Sequence, residues 1–296
     1  MLSVIIHTKN EAKNIKACID SVIDLATEVL VVDMNSSDAT VTIAKKLSPK
    51  IRILNYKADA QFADPARDWA IAKARGEWVF ILDADERLEN NELKNILKNL
   101  NDTINTDVFY LPRKNIIFDE WIKHTGWWPD YQPRLFRKGH LSWPGKVHAQ
   151  PIVKGKIKYL PAEPNYALGH YNYENVAHFI DKLNRYTSLA AAQKVESRVR
   201  NVDGFGVFGG EFLARFFKQE GYQDGGWGAA LSLLQANYEL VTYLKSCEKN
   251  KQEPLFRESA LRKWQRDLNY WLADKKVKEK QGLAQIYWRL RRKLRV

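Results

Sequence analysis

The sequence predicts an α/β fold: a mostly parallel, Rossmann-like sheet flanked by helices, with a helical extension at its C-terminal end. Three observations carry this. Apolar runs of strand length alternate with segments of helical period through residues 1–111, the signature of strand–helix–strand units. Polar clusters sit where three of the strands end. After residue 204 the period is helical almost without interruption.

The elements follow in order. Residues 2–8 form a continuous apolar run, as a strand buried on both faces requires. Residues 10–25 place Ile15, Cys18, Ile19, Val22 and Leu25 at helical spacing. Residues 28–33 read as a second strand. Ser37 or Asp38 is placed to cap a short helix carrying Val41, Ala44 and Leu47. A third strand is expected at 51–56, and Pro65 opens a further helix after Asp64. Residues 77–82 give the fourth strand, 89–100 a helix and 107–111 the fifth strand. From 112 to 170 the pattern breaks into loops and short strands rich in Trp, Pro, Gly and His. Helices return at 174–200, 204–220 and 228–248, the last two joined by a glycine-rich loop. We divide the chain into residues 1–111 (first half of the α/β domain), 112–203 (second half of the same domain), 204–256 (helical extension) and 257–296 (basic helical tail).

Composition bounds the function. Apolar residues make up 45% of the 296-residue chain, enough for a substantial core. Two cysteines without metal-ligand spacing, Cys18 and Cys247, fit a reducing compartment and no disulfide framework. The first residues have no basic leader pattern, and no apolar stretch of spanning length occurs, so a cytoplasmic protein is expected. The net charge is +12, and residues 257–296 hold 13 Lys/Arg against 4 Asp/Glu. A tail of that kind attracts polyanions, whether anionic lipid, nucleic acid or phosphorylated glycan.

In open α/β sheets ligands bind beyond the carboxyl ends of the strands. Three such ends are polar here: Thr8-Lys9-Asn10-Glu11, Asp33-Met34-Asn35-Ser36 and Asp83-Ala84-Asp85. Two carboxylates leaving a buried strand are costly without a compensating cation. A hard divalent ion held by one or two carboxylates and by substrate phosphates is one solution.

Four stretches together resemble glycosyltransferase family 2. They are Ser-Val-Ile-Ile-His-Thr-Lys-Asn-Glu (3–11), Val-Val-Asp-Met-Asn-Ser-Ser-Asp-Ala-Thr (31–40), Ala-Arg-Asp-Trp-Ala (66–70) and Gly-Glu-Trp-Val-Phe-Ile-Leu-Asp-Ala-Asp-Glu (76–86). A second tier is similar to the lipopolysaccharide core β-glucosyltransferases: residues 126–137, Val147-His148, His170-Tyr171-Asn172-Tyr173 and Leu183-Asn184-Arg185-Tyr186. The resemblance implies the GT-A fold, inversion at the anomeric carbon and UDP-glucose as donor. It implies that Thr8, Asn10, Glu11 and Asp33 border the nucleoside, and that Arg67, Asp68, Asp83, Ala84, Asp85 and Arg134 lie along the donor. Asp83, Asp85, His148 and His170 would hold Mg²⁺ or Mn²⁺. Asp130 would be the general base, and Trp127, Trp128 and Arg185 would meet a glycan or glycolipid acceptor. The chain departs from the pattern at Met34 and Ala149, where acidic residues are usual.

Asp130 suits a base because partial burial among tryptophans raises a carboxyl pKa. The other reading is a turn cap after Pro129, with Asp119 and Glu120 as substitute bases. Phe205, Phe208, Phe212, Phe216 and Phe217, with the basic tail, suggest a surface lying on an anionic leaflet, peripheral to the inner face of a bacterial membrane. Nucleic-acid binding through the tail is the rival of another class; the charge is terminal and the strand ends are acidic, so no nucleic-acid partner is expected. A sugar nucleotidyltransferase would carry glycines near the first strand, and residues 8–12 have none.

Overall fold

A computed structural model of the chain describes residues 1–57, 64–103, 105–143, 150–193 and 202–295. The chain divides into two compact units, residues 1–121 with 127–174, and residues 122–126 with 175–296.

The first unit opens with β1 (Leu2–Thr8), α1 (Ile15–Asp20), β2 (Glu28–Asp33), α2 (Thr40–Lys45), β3 (Ile51–Asn55), α3 (Asp64–Lys73) and β4 (Trp78–Asp83). It continues through β5 (Glu86–Arg87), α4 (Asn91–Lys98), β6 (Val108–Leu111), β7 (Arg113–Ile117), β8 (Glu120–Trp121) and β9 (Gln132–Arg137). The last strands are β10 (Leu141–Ser142), β11 (Ile152–Val153), β12 (Ile157–Tyr159) and β13 (Leu168–Tyr173). Seven strands make the main sheet in the order β12-β6-β9-β4-β1-β2-β3. All neighbours in it are parallel except β9, which runs antiparallel between β4 and β6. The fold is the expected GT-A α/β architecture.

Alternation along the strands sorts the core. Val4, Ile6, Val29, Val31, Phe80 and Leu82 pack on one face with α1. Ile5, Leu30, Val32, Val79 and Ile81 pack on the other with Ala66 and Ala70 of α3. Successive residues of a strand point to opposite faces, so one run of apolar residues feeds both layers.

Two expectations change. The helix over 10–25 contracts to α1. Asn10 sits at φ 57°, and the Glu11 carbonyl accepts both the Asn14 and Ile15 amides, so a turn precedes the helix. Beyond it, Val22 and Leu25 donate three residues back, to Ile19 and Val22. The helix over 89–100 contracts to α4 and ends in a 3₁₀ turn, Leu100–Asp102. The segment expected to hold loops and short strands supplies β9, which takes a central place in the main sheet.

β9 has a bulge. Phe109 pairs with Leu135 and Tyr110 with Pro133, so Arg134 is passed over. A bulge re-aims the side chain it carries.

The second unit contains α5 (Val176–Gln193), α6 (Gly204–Leu213), α7 (Gly225–Lys249), α8 (Glu258–Glu279) and α9 (Gly282–Leu294). A Cβ on Gly228 would lie 1.8 Å from the Gly221 carbonyl oxygen, so the glycine-rich loop closes on itself. The phenylalanines expected at a membrane surface are instead packing residues. Phe205 meets Phe256, Phe208 meets Trp264 and Phe217 stacks on Trp271, and none of the five phenylalanines is exposed. The aromatic stripe of α6 is therefore the seat for α8. Among the described residues, no helix is long and apolar enough to cross a membrane.

At the amino ends of the strands, the buried Glu28 carboxylate accepts from Ser3 Oγ at 2.7 Å, the Arg75 amide at 2.6 Å and Arg52 at 2.6 Å. Gly76 lies against this knot, and a Cβ there would stand 2.7 Å from the Ser3 amide nitrogen and 2.9 Å from the Met1 carbonyl oxygen. Both neighbours are backbone, so they cannot swing away. Gly76→Ala is expected to destabilise the protein by about 1–3 kcal/mol. A urea midpoint equal to that of the wild type would show that the β1 edge yields.

Candidate active site

The carboxyl ends of β4, β1 and β2 lie side by side. His7 registers with Asp83, and Thr8 registers with Asp33. The second sheet, in the order β5-β13-β7-β8, adds a wall to this opening. In it His170 pairs with Glu86 on one side and with Asn115 on the other. Arg113 and Asn115 are two apart on β7 and share a face.

These strands deliver one network of charges. The Asp83 carboxylate accepts from Arg67 at 3.0 Å through one oxygen and from Arg134 at 2.5 Å through the other. Arg134 also donates to the fully buried Glu86 at 2.6 Å. Arg113 bridges Glu86 at 3.2 Å and Asp130 at 2.6 Å. Asp130 Oδ2 takes a further hydrogen bond from Asn115 at 2.9 Å, and Oδ1 takes one from Gln132 at 3.0 Å. The backbone of Asp130 is left-handed, at φ 35°.

Electrostatics follow from these pairings. Burial pushes the Asp83 carboxyl up, but Arg134 and Arg67 outweigh it and hold the group well below the ordinary carboxylate range. Burial likewise raises Asp130, and Arg113 with Asn115 reverses the shift, so its pKa falls below the usual value. This corrects the expected rise: the aromatic loop desolvates Asp130, but a guanidinium sits on it. His7, buried beside Asp83, is lowered to about 3 by burial and by Arg67, so it is neutral at physiological pH.

The Asp85 carboxylate lies 3.6 Å from His170 Nε2. The other ring nitrogen, Nδ1, is 2.6 Å from Asn115 Oδ1. Asn115 Nδ2 is already donating to the Trp127 carbonyl and to Asp130. Its Oδ1 is therefore an acceptor, and His170 Nδ1 carries the proton. The Nε2 of the same ring faces the Asp85 carboxylate, an arrangement that suits a shared cation. The donor set of one carboxylate and one imidazole, with phosphate oxygens to follow, fits a divalent ion. Asp83 has both oxygens on arginines, and His148 lies outside the described residues. Among the described residues, no three His, Cys, Asp or Glu side chains surround a single point.

The remaining predicted residues are placed as follows. Asn10 stitches two strand ends together: its Oδ1 accepts from the Ser37 amide at 2.8 Å, and its amide donates to Ser36 Oγ at 2.9 Å. The Glu11 amide donates to Thr40 Oγ1. Asp33 caps its own loop through the Ser36 amide at 3.1 Å. Thr8 is buried, with its hydroxyl unpartnered among the described residues. Ala84 is buried, its amide on the His7 carbonyl. Asp68 accepts from the Trp143 amide at 2.9 Å, and Arg67 stands over the Trp143 ring. Trp127 packs edge-on with Tyr173 and Trp128 with Trp121. Arg185 is exposed in the second unit, over Tyr186. Asp119 and Glu120 are exposed at the β7–β8 turn.

A cavity of about 360 Å³ opens on this network, lined by Arg67, Asp83, Tyr110, Arg113, Tyr131, Gln132, Arg134 and Trp143 among others. Three of the network's members, Glu86, Arg113 and Asn115, were not singled out from the sequence. Two signals mark them: Glu86 directly follows the Asp-Ala-Asp motif, and Arg113 and Asn115 are polar at period two in a strand.

The sequence pattern described as "Glycosyl transferase family 2" matches residues 3–155. A protein of Rickettsia prowazekii (strain Madrid E) described as an uncharacterized glycosyltransferase is 32% identical over 218 residues, 66% of this chain and 68% of that protein. One of Rickettsia bellii (strain RML369-C), described in the same words, is 33% identical over 138 residues, 46% of this chain and 42% of that protein. Among solved structures, residues 1–349 of TarS from S. aureus are 14% identical, covering 85% of this chain and 92% of that one, with a TM-score of 0.42.

Two outcomes are expected. Arg134→Ala leaves Asp83 with Arg67 and the buried Glu86 with Arg113, each one cation short, and is expected to cost up to about 3–5 kcal/mol; an unchanged denaturation midpoint would separate the network from stability. The carboxyls of Asp83 and Asp130 are depressed in the fold, so their pairing stabilises fully above the ordinary Asp value of about 3.9. That contribution drains away as pH falls through the lower folded values. Melting temperature followed downward from neutral pH is expected to drop below about pH 4, and to drop less steeply in Asp130→Asn.

Proposed function

This chain belongs to glycosyl transferase family 2, a family of transferases, and from that premise we propose that it moves a hexose from a nucleotide-sugar donor to an acceptor hydroxyl with inversion. One observation carries the reading furthest. Asp130 and the Asp83/Asp85 strand end, from distant parts of the sequence, meet in one polar cluster: Asp83 reaches Asp130 through Arg134, Glu86 and Arg113, and Asp130 reaches His170, beside Asp85, through Asn115.

Inversion by direct displacement needs a proton acceptor on the acceptor side and positive charge on the leaving-group side. Asp130 is the acceptor. Its Oδ2 is occupied by Arg113 and Asn115, and Oδ1, which accepts from Gln132, would take the proton of the acceptor hydroxyl. As the new bond from the acceptor oxygen to the anomeric carbon forms, the carbon–oxygen bond to the diphosphate breaks. The bonding pair leaves with the diphosphate, and the hydroxyl proton passes to Oδ1. Because Arg113 lowers the basicity of Asp130, that transfer comes late, once bond formation has made the hydroxyl acidic.

Asp85 and His170 would hold a Mg²⁺ or Mn²⁺ ion, which when bound neutralises charge on the departing diphosphate. Asp83 holds Arg67 and Arg134 at the cavity wall, where they add positive charge beside the diphosphate. Thr8, Glu11 and Asp33 border the nucleoside, with Asn10 fixing their loops. Asp68 acts through Trp143. Trp127, Trp128 and Arg185 belong to the acceptor side. The resemblance of residues 126–137 and 170–173 supports UDP-glucose as donor and a hydroxyl of a lipopolysaccharide core or related glycan as acceptor, handled at the cytoplasmic face of a membrane.

Asp85→Ala is expected to keep the fold and abolish transfer, read as release of nucleoside diphosphate with Mn²⁺ across a panel of nucleotide sugars; full turnover would remove the cation role. Asp130→Asn is expected to bind donor as the wild type does and to lose about 10²–10⁴ in turnover. Retained turnover in that variant would move the base elsewhere.

A further inference from the structure

A soluble amphipathic helix turns its apolar face inward. α9 does the reverse. Leu283, Ile286, Tyr287, Leu290 and Leu294 are 86%, 52%, 54%, 57% and 68% exposed. At 3.6 residues per turn they fall within an arc of roughly 100°. The opposite side holds the helix to α8 through polar groups: Arg292 pairs with Asp274 at 2.7 Å, and Gln285 donates to the Val277 carbonyl at 3.0 Å. Arg295, just past the helix, pairs with Asp267 at 3.2 Å. No residue of α9 is buried.

The flanks of the exposed stripe are basic. By the same helical period Arg289 and Lys293 lie along one edge and Arg291 along the other, and residues 282–294 contain no Asp or Glu. Long cationic side chains beside an apolar stripe can reach outward to anionic headgroups while the stripe enters the acyl boundary. A second copy of the helix is a poor occupant, because two such faces would set like charges against each other.

We propose that α9 is a membrane-docking element, its Leu283–Ile286–Leu290–Leu294 stripe lying in the interface of a bilayer containing anionic lipid. This deepens the membrane-side setting proposed above and places it on α9 alone, since α8 is packed into the second unit by Trp264 and Trp271.

The full chain is sedimented with phosphatidylcholine vesicles with and without phosphatidylglycerol. Wild type is expected to pellet with the anionic vesicles only. Replacing Leu283, Ile286 and Leu290 together by Ser is expected to lower partitioning at least about tenfold. Arg289→Gln with Lys293→Gln is expected to lower it about fivefold per charge. Neither set touches a buried residue, so circular dichroism and vesicle-free nucleotide-sugar hydrolysis stay at wild-type levels. Loss of that hydrolysis in the wild type itself would count against the transferase and leave the vesicle result standing. Equal pelleting of wild type and the triple variant overturns the proposal, as does a wild type that ignores vesicles. A wild-type dimer that the triple variant dissolves, without vesicle binding, would assign the stripe to a second copy and overturn it too.

Discussion

The Arg134 guanidinium between Asp83 and Glu86 is the interaction on which the first unit depends. A parallel sheet whose strands end in carboxylates needs a buried cation, and an isolated buried carboxylate is too costly to keep ionised. No residue of β1 to β4 supplies that second cation; β9 does, from later in the chain. This explains an antiparallel strand in the middle of a parallel sheet, and a bulge at the one residue whose side chain must be re-aimed. Asp130 lies just before β9, so the segment that brings in the cation also brings in the proposed base. A one-residue slip of β9 would turn Arg134 to the other face and misplace Asp130 with it.

The charge count of the network has a chemical consequence. Asp83, Asp85, Glu86 and Asp130 stand against Arg67, Arg113 and Arg134, one positive charge short. Each guanidinium is already shared with carboxylates. A nucleoside diphosphate entering the cavity adds negative charge that the arginines cannot neutralise alone. In the proposed reaction the Asp85–His170 pair, with Nδ1 of the imidazole committed to Asn115, is where an added cation would relieve this. Asn115 thus serves both halves of the proposed reaction, fixing the tautomer of His170 and damping the basicity of Asp130.

Legibility in the sequence tracks the range of the governing interaction. β1, β2 and β4 were legible because burial on both faces demands an unbroken apolar run, and their polar ends announced the site. The central place of β9 is not legible, because Gln-Pro-Arg-Leu-Phe-Arg carries a proline and two arginines, each a poor occupant of a central strand. Its arginine is buried only because carboxylates distant in sequence await it. The Asp130 pKa was misread for the same reason: the tryptophans near it are visible in the sequence, whereas Arg113 becomes a neighbour only through the pairing of strands. Glu86 is buried by that same assembly. Trp127 and Trp128 were legible as an aromatic cluster, but which rings they meet depends on β8 and β13.

The helical part shows the limit of periodicity more sharply. The phenylalanines of α6 and the leucines of α9 have the same helical spacing, yet one stripe faces inward and the other outward. The difference lies in the partner. α8 offers Trp264 to α6 and Trp271 to Phe217 in the turn that follows α6, but toward α9 it offers Asp267 and Asp274. Two carboxylates on α8 therefore decide which side of α9 is held. Arg292 and Arg295 anchor the polar side, and the apolar side is left outward because rotating it onto α8 would set leucines against charges and cost both aspartates a partner. The exposed stripe is a consequence of where α8 carries its acids, a choice made on a different helix from the one that displays it.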